Sequence, residues 1–187
     1  MKVAASKADR IISLDPGVRK FMVGYDPLGG VDYIGEGAHR RLMRLLLEID
    51  TCTGKKTSVL WRKVKNLVSE LHNKSAYYLV SNYDHILLPD FRISGMVTKR
   101  KLARSTKRLL YMFSYYSFKE KLINKCKQYG KNLYIVDESY TSCTCGVCGY
   151  INNMKGKEIY NCQRCKLCID RDALGSRNIL IKNLTVR

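Results

Sequence analysis

A mixed α/β sheet with helices packed on it is the fold class this sequence predicts, on three observations. The chain opens with alternating apolar runs broken by turn chemistry, Asp-Pro-Gly and Asp-Pro-Leu-Gly-Gly. Two stretches of helical period follow, each leading into a short apolar run of strand length. A cysteine-rich segment then interrupts the pattern just before one last helix. Strands, then helix–strand–helix–strand, then a terminal helix describe one layered sheet.

In order, residues 11–34, IISLDPGVRKFMVGYDPLGGVDYI, predict successive strands joined by hairpins. Residues 37–82 hold no proline, and after Gly37 their one glycine is Gly54. Leu42, Leu45, Leu46 and Ile49, then Val64, Leu67, Val68 and Leu71, recur at helical spacing, so two helices broken near Thr53-Gly54 are predicted. Tyr77 and Tyr78 read as core residues of the second, and Trp61 and His72 as core or helix surface. DHILL at 84–88 predicts a buried strand ended by Pro89. The basic run TKRKLARSTKR at 98–108 leads into one helix with an apolar stripe of Leu109, Phe113, Tyr116 and Ile123, stopped at Gly130. KNLYIV at 131–136 predicts another buried strand, and residues 172–183 a closing helix.

The charge is lopsided. Among 187 residues, 34 Lys and Arg against 16 Asp and Glu leave a formal net charge of +18. Hydrophobic residues make up 45% and charged residues 27%, which is globular composition and excludes a disordered basic tail. No apolar run approaches a membrane span and no signal-like start is present, so an intracellular protein, nuclear or cytoplasmic and not secreted, is expected. A surplus of this size points to a polyanion, nucleic acid before membrane. Arg40, Arg41 and Arg44 fall on one helical segment, and Lys99, Arg100, Lys101, Arg104, Lys107 and Arg108 cluster in another. They are the candidate phosphate contacts, although a solvated helix face is the commoner meaning of such runs. Tyr111 or Tyr115 beside them would offer a base a stacking surface.

Six of eight cysteines fall between Cys143 and Cys168. Cys145-x2-Cys148 and Cys162-x2-Cys165 have the spacing of two knuckles, each aiming two thiolates at one centre. A closed four-thiolate site suits Zn²⁺ and leaves no open position for water, so it is structural. Gly149 follows the first knuckle where the turn favours glycine. Cys143 and Cys168 read as bystanders. A module this small is expected to lack an apolar core of its own and to be held by its metal.

Three acids stand at predicted element ends: Asp15, Glu138 and Asp172. Converging in a sheet crevice, three such carboxylates would hold two Mg²⁺ ions about 4 Å apart for phosphodiester hydrolysis. Taken singly, each is more often a turn residue or helix cap, and spacing alone leaves both readings open.

The string DESYTSCTCGVCGYINNMKGKEIYNCQRCKLCIDRDALGSRNIL resembles the C-terminal signature of TnpB-family transposon proteins. SLDPGVRKFMVGYDP and ELHNKSAYYLVSNYDHILLPDF extend the resemblance over nearly the whole chain, the second toward the Fanzor branch. It implies a RuvC nuclease of RNase H-like fold with the zinc ribbon inserted before the last helix: residues 1–139 the first part of the core, 140–168 the ribbon, 169–187 the closing motif. It also implies an RNA-guided, transposon-associated DNA endonuclease, with DNA and guide RNA as partners. Asp15 and Asp172 match the first and last catalytic acids, with Asp170 the second choice for the latter. The middle acid departs from the common Ile-Glu-Asp-Leu, because Pro89 stands where that Glu belongs in Leu88-Pro89-Asp90-Phe91. Fanzor-type proteins instead use the Glu before Tyr-Thr-Ser, here Glu138, leaving Asp90 as fallback. Leu174 stands where the last motif usually has Asn.

Full-length relatives carry guide and target-recognition domains before the first acid, so this chain reads as the nuclease half alone. Two other readings compete. One is a non-catalytic zinc-ribbon remnant that binds nucleic acid. The other is a transposase proper, since strand transfer uses the same acids.

Overall fold

A computed structural model describes residues 9–91, 102–152 and 158–184. Three antiparallel strands come first: β1 (Ile11–Pro16), β2 (Met22–Asp26) and β3 (Gly30–Ile34). Helices α1 (Ala38–Thr51) and α2 (Lys55–Asn82) lead to β4 (His85–Pro89), which pairs parallel to β1. Helices α3 (Arg104–Phe113) and α4 (Tyr115–Tyr129) lead to β5 (Asn132–Val136), parallel to β4. The five strands lie in the order β3-β2-β1-β4-β5. A separate ribbon of β6 (Ile159–Asn161) and β7 (Cys168–Asp170) runs straight into the last helix, α5 (Arg171–Leu184). No described helix is long and apolar enough to cross a membrane.

The pleat of β1 decides which face meets what. Ile12 and Leu14 point into the main core with Leu42, Leu79, Leu110 and Leu122 from the four long helices. Ser13 and Asp15, on the opposite face, meet α5, and the Ser13 hydroxyl donates to the Ser176 carbonyl at 2.7 Å. Helix α5 comes this close because Ala173, Gly175 and Ser176 carry almost no side-chain bulk.

Four expectations are corrected. The single helix expected to follow the basic run at 98–108 is two, broken at Ser114, whose φ of 49° is left-handed. Neither Gly nor Pro marks that break, and it resets the helical phase, so Tyr115 is buried and Tyr116 is 74% exposed. Tyr77 and Tyr78 are exposed rather than core, and the Tyr78 hydroxyl donates to Asp32 at 2.6 Å. Strand β5 is a sheet edge with Tyr134 and Ile135 exposed, not a buried strand. The cysteine module does enclose a small cluster, with Tyr160 fully buried among Cys145, Cys162 and Leu174 of α5.

His72 sits inside the core, stacked on Phe21 at 5.6 Å, and its Nε2–H donates to the Phe113 carbonyl at 2.8 Å. Burial holds it below its ordinary value of 6.5. The unfolded chain therefore takes up a proton here as pH falls below about 6.5, while the folded chain resists. Melting temperature is expected to fall from pH 7.5 to 5.5, with a shallower slope in His72→Gln. Parallel slopes would refute this assignment.

Candidate active site and metal centre

Asp15 lies at the end of β1, opposite Val23 of β2 and over Gly175 of α5, where any Cβ would collide with its carboxylate. A glycine inside a helix costs roughly 1 kcal/mol relative to alanine, and here it makes room for the acid. Burial, then the negative charges of Asp172 and Glu138, push the Asp15 carboxyl well above the usual range, with Arg171 pulling weakly the other way. Asp15, Asp172 and Glu138 thus share one electrostatic neighbourhood.

Each partner is held by identifiable bonds. Asp170 caps α5: its Oδ1 accepts from the backbone N–H groups of Asp172 at 2.9 Å and Ala173 at 3.0 Å, while Oδ2 pairs with Lys20 at 3.2 Å. Capping occupies Asp170, and the first turn of α5 presents Asp172, 3.4 Å from the Arg171 guanidinium. Glu138 follows β5, and its carbonyl accepts from the Thr141 hydroxyl at 2.8 Å. Asn178 of α5 donates to the carbonyls of Thr141 at 2.8 Å and Thr144 at 2.7 Å, fastening that segment to the helix. Neighbouring Asp137 pairs with Lys182 at 2.5 Å and with Ser139, which hold its carboxyl down at about 2. Asp90 sits beyond β4, paired with Lys119 at 3.1 Å.

Cys145, Cys148, Cys162 and Cys165 bring their sulfurs within 4.8 Å of one another, so they could hold a metal ion such as zinc. Two cross-knuckle separations are 3.5 Å and 3.6 Å, near the roughly 3.8 Å edge of a zinc–thiolate tetrahedron. The knuckles repeat one geometry. Gly149 N–H donates to the Cys145 carbonyl and Lys166 N–H to that of Cys162, with φ of 70° and 60°. Backbone N–H groups, that of Cys165 foremost, favour the Cys162 thiolate and pull it down to about 6. Gly146 packs against Asn178, Arg177 and Leu174 of α5, which docks the first knuckle on that helix. Cys143 and Cys168 fall outside the set. Among the described residues, no other set of three or more His, Cys, Asp or Glu is this tight.

Arg40, Arg41 and Arg44 are exposed on α1 and Arg104 at the start of α3, with Lys107 half-buried. Arg108 forks onto Asp50 at 2.6 and 2.9 Å, tying α3 to α1. Lys99, Arg100 and Lys101 lie outside the described residues. Tyr111 is exposed, but Tyr115 is not the base-stacking surface expected, being only 4% exposed.

Sequence reading missed Gly175, Asn178 and Lys20, and gave Tyr115 a different role. Gly175 had a usable signal, a glycine among helix formers. The others act through contacts between distant parts of the chain.

Comparison with known proteins adds three findings. A family model described as "Cas12f1-like, TNB domain" matches residues 115–179. TnpB-like protein L79 of Acanthamoeba polyphaga mimivirus is 26% identical over 96% of this chain and 38% of its own length. Putative transposase A625R of Paramecium bursaria Chlorella virus 1 is 31% identical over 94% of this chain and 44% of its own. The chain thus spans about two-fifths of the curated relatives it matches. Among solved structures, a Cas12f1–sgRNA–target DNA complex aligns with a TM-score of 0.70 at 19% identity, covering 95% of this chain and 51% of that one. This likeness establishes the shared fold.

Proposed function

We propose that the chain is a member of the TnpB/Fanzor family and carries the RuvC nuclease portion of a transposon-associated DNA endonuclease, a reading supported by its similarity to TnpB-like proteins over nearly its whole length. The single observation that carries the reading is the electrostatic convergence of Asp15, Glu138 and Asp172 from three separate parts of the chain. In this assignment residues 1–139 and 169–187 form an RNase H-like core and 140–168 a zinc ribbon. The strand order and the parallel β1–β4–β5 block support that description.

The donor set fits two hard divalent cations. Three carboxylates offer hard oxygen donors, and the negative charges of Asp172 and Glu138 oppose ionisation of Asp15 in a way that bound cations would relieve. When bound, two Mg²⁺ ions would supply an activated water and charge stabilisation at the leaving oxygen. The chain's own part is positional. Asp15 stays fixed by β1 pairing and by the wall of Gly175, Asp172 by the Asp170 cap, and Glu138 by Thr141 and Asn178. Arg40, Arg41, Arg44, Arg104 and Lys107 form the proposed phosphate-binding surface, with salt-dependent and largely sequence-independent contacts. RNA guidance belongs to the proposal for the longer relatives and is assigned to no residue here.

The test uses the purified chain with labelled single- and double-stranded DNA in Mg²⁺, beside Glu138→Ala and a metal-free control. Cleavage lost in both controls is the expected result. Salt-dependent binding without cleavage would overturn the catalytic reading for this chain in favour of a nucleic-acid-binding remnant. Joined rather than cut products would favour a transposase.

A further inference from the structure

The turn that follows Asp15 is clamped from two sides. Tyr115, the first residue of α4, shares its hydroxyl proton between the carbonyl oxygens of Gly17 at 2.5 Å and Phe21 at 2.9 Å. Those residues bound the β1–β2 turn, and Gly17 N–H also donates to the Phe21 carbonyl at 3.2 Å. The Tyr115 ring stacks on Phe21 at 5.2 Å and meets Phe91 edge-on at 4.9 Å, so it has no freedom to swing away. From the same turn, Lys20 reaches Asp170 at 3.2 Å, with its ammonium 3.7 Å from the Tyr33 ring centroid. Asp170 in turn caps the turn of α5 that bears Asp172. One continuous set of bonds thus runs from α4 through the β1–β2 turn to α5, with Asp15 at one side and Asp172 at the other.

We propose that Tyr115 and Lys20 are positioning residues that set the separation of the Asp15 and Asp172 carboxylates, and so the affinity of the site for divalent cations. This rests on the carboxylate reading above. Neither side chain would be a ligand of the metal. Tyr115 acts by fixing where β1 ends, and Lys20 by fixing where α5 begins. The phenol hydroxyl is needed because two carbonyl oxygens converge on it, and phenylalanine keeps the stacking while leaving both without that donor.

The experiment measures Mn²⁺ binding to the purified chain by electron paramagnetic resonance, which needs no cleavage. Asp15→Asn defines the binding that belongs to the carboxylates. Tyr115→Phe and Lys20→Met are each expected to weaken that binding about five- to twentyfold, with ribbon zinc content and far-UV circular dichroism unchanged; a merely structural loss would move the last two instead. Mn²⁺ affinity within twofold of wild type in both variants overturns the positioning role. Wild-type binding that Asp15→Asn leaves intact overturns the carboxylate reading itself, and the two failures are distinguishable.

Discussion

Asp15→Asn is expected to abolish divalent-dependent DNA cleavage while raising the melting temperature of the metal-free chain. Asparagine keeps the shape that fits over Gly175 and removes the charge that burial, Asp172 and Glu138 all oppose. Relief of about 1 kcal/mol corresponds to roughly 2–4 °C in a domain of this size. The loss of activity should be far larger. Metal-ion charge stabilisation contributes several kcal/mol, and each 1.4 kcal/mol is tenfold, so a drop on the order of a thousandfold is expected. Adding Mg²⁺ should raise the melting temperature of wild type but not of the variant. Calorimetry with and without Mg²⁺ checks all three signs. A destabilised variant that still gains stability from Mg²⁺ would place the metal elsewhere.

Removing the ribbon metal, by a strong chelator or by Cys162→Ser, is expected to unfold the two knuckles and the β6–β7 ribbon and loosen the start of α5. The four sulfurs are central to this module, whose packed cluster beyond them is Tyr160, Leu167, Ile169 and Leu174. Structural zinc contributes about 10–16 kcal/mol of apparent binding free energy, so a quarter share of about 2.5–4 kcal/mol is roughly sixty- to sevenhundredfold in affinity. The damage should spread, because Gly146 packs on Asn178 and β7 runs into the turn that carries Asp172. Hydrogen exchange should show lost amide protection in the knuckles and in the first turns of α5, with α1 and α2 unchanged. Full protection after chelation would refute the coupling.

Local chemistry was legible in the sequence wherever neighbours along the chain decide the outcome. Turn residues marked the three-strand opening, helical spacing and Gly54 marked α1 and α2, and the paired CxxC spacing marked four sulfurs that meet. The family likeness named three acids whose fields meet at Asp15. Other features were invisible for a physical reason. A left-handed Ser114 carries no compositional mark, so the periodicity beyond it ran out of phase and Tyr115 and Tyr116 exchanged roles. The exposure of β5 depends on its being last in the sheet order, which no property of KNLYIV encodes.

The sequence by itself determined the element types, the thiolate set and the residues able to do acid chemistry, because propensity, turn geometry and ligand spacing are short-range. Only the tertiary structure decided that α5 lies against the Ser13–Asp15 face of β1. It alone decided that Asp170 is spent on a helix cap while Asp172 faces the other acids, and that Tyr115 and Lys20 reach across the β1–β2 turn. Those outcomes depend on which surfaces pack together, and packing joins residues up to 163 positions apart, as Ser13 and Ser176 are.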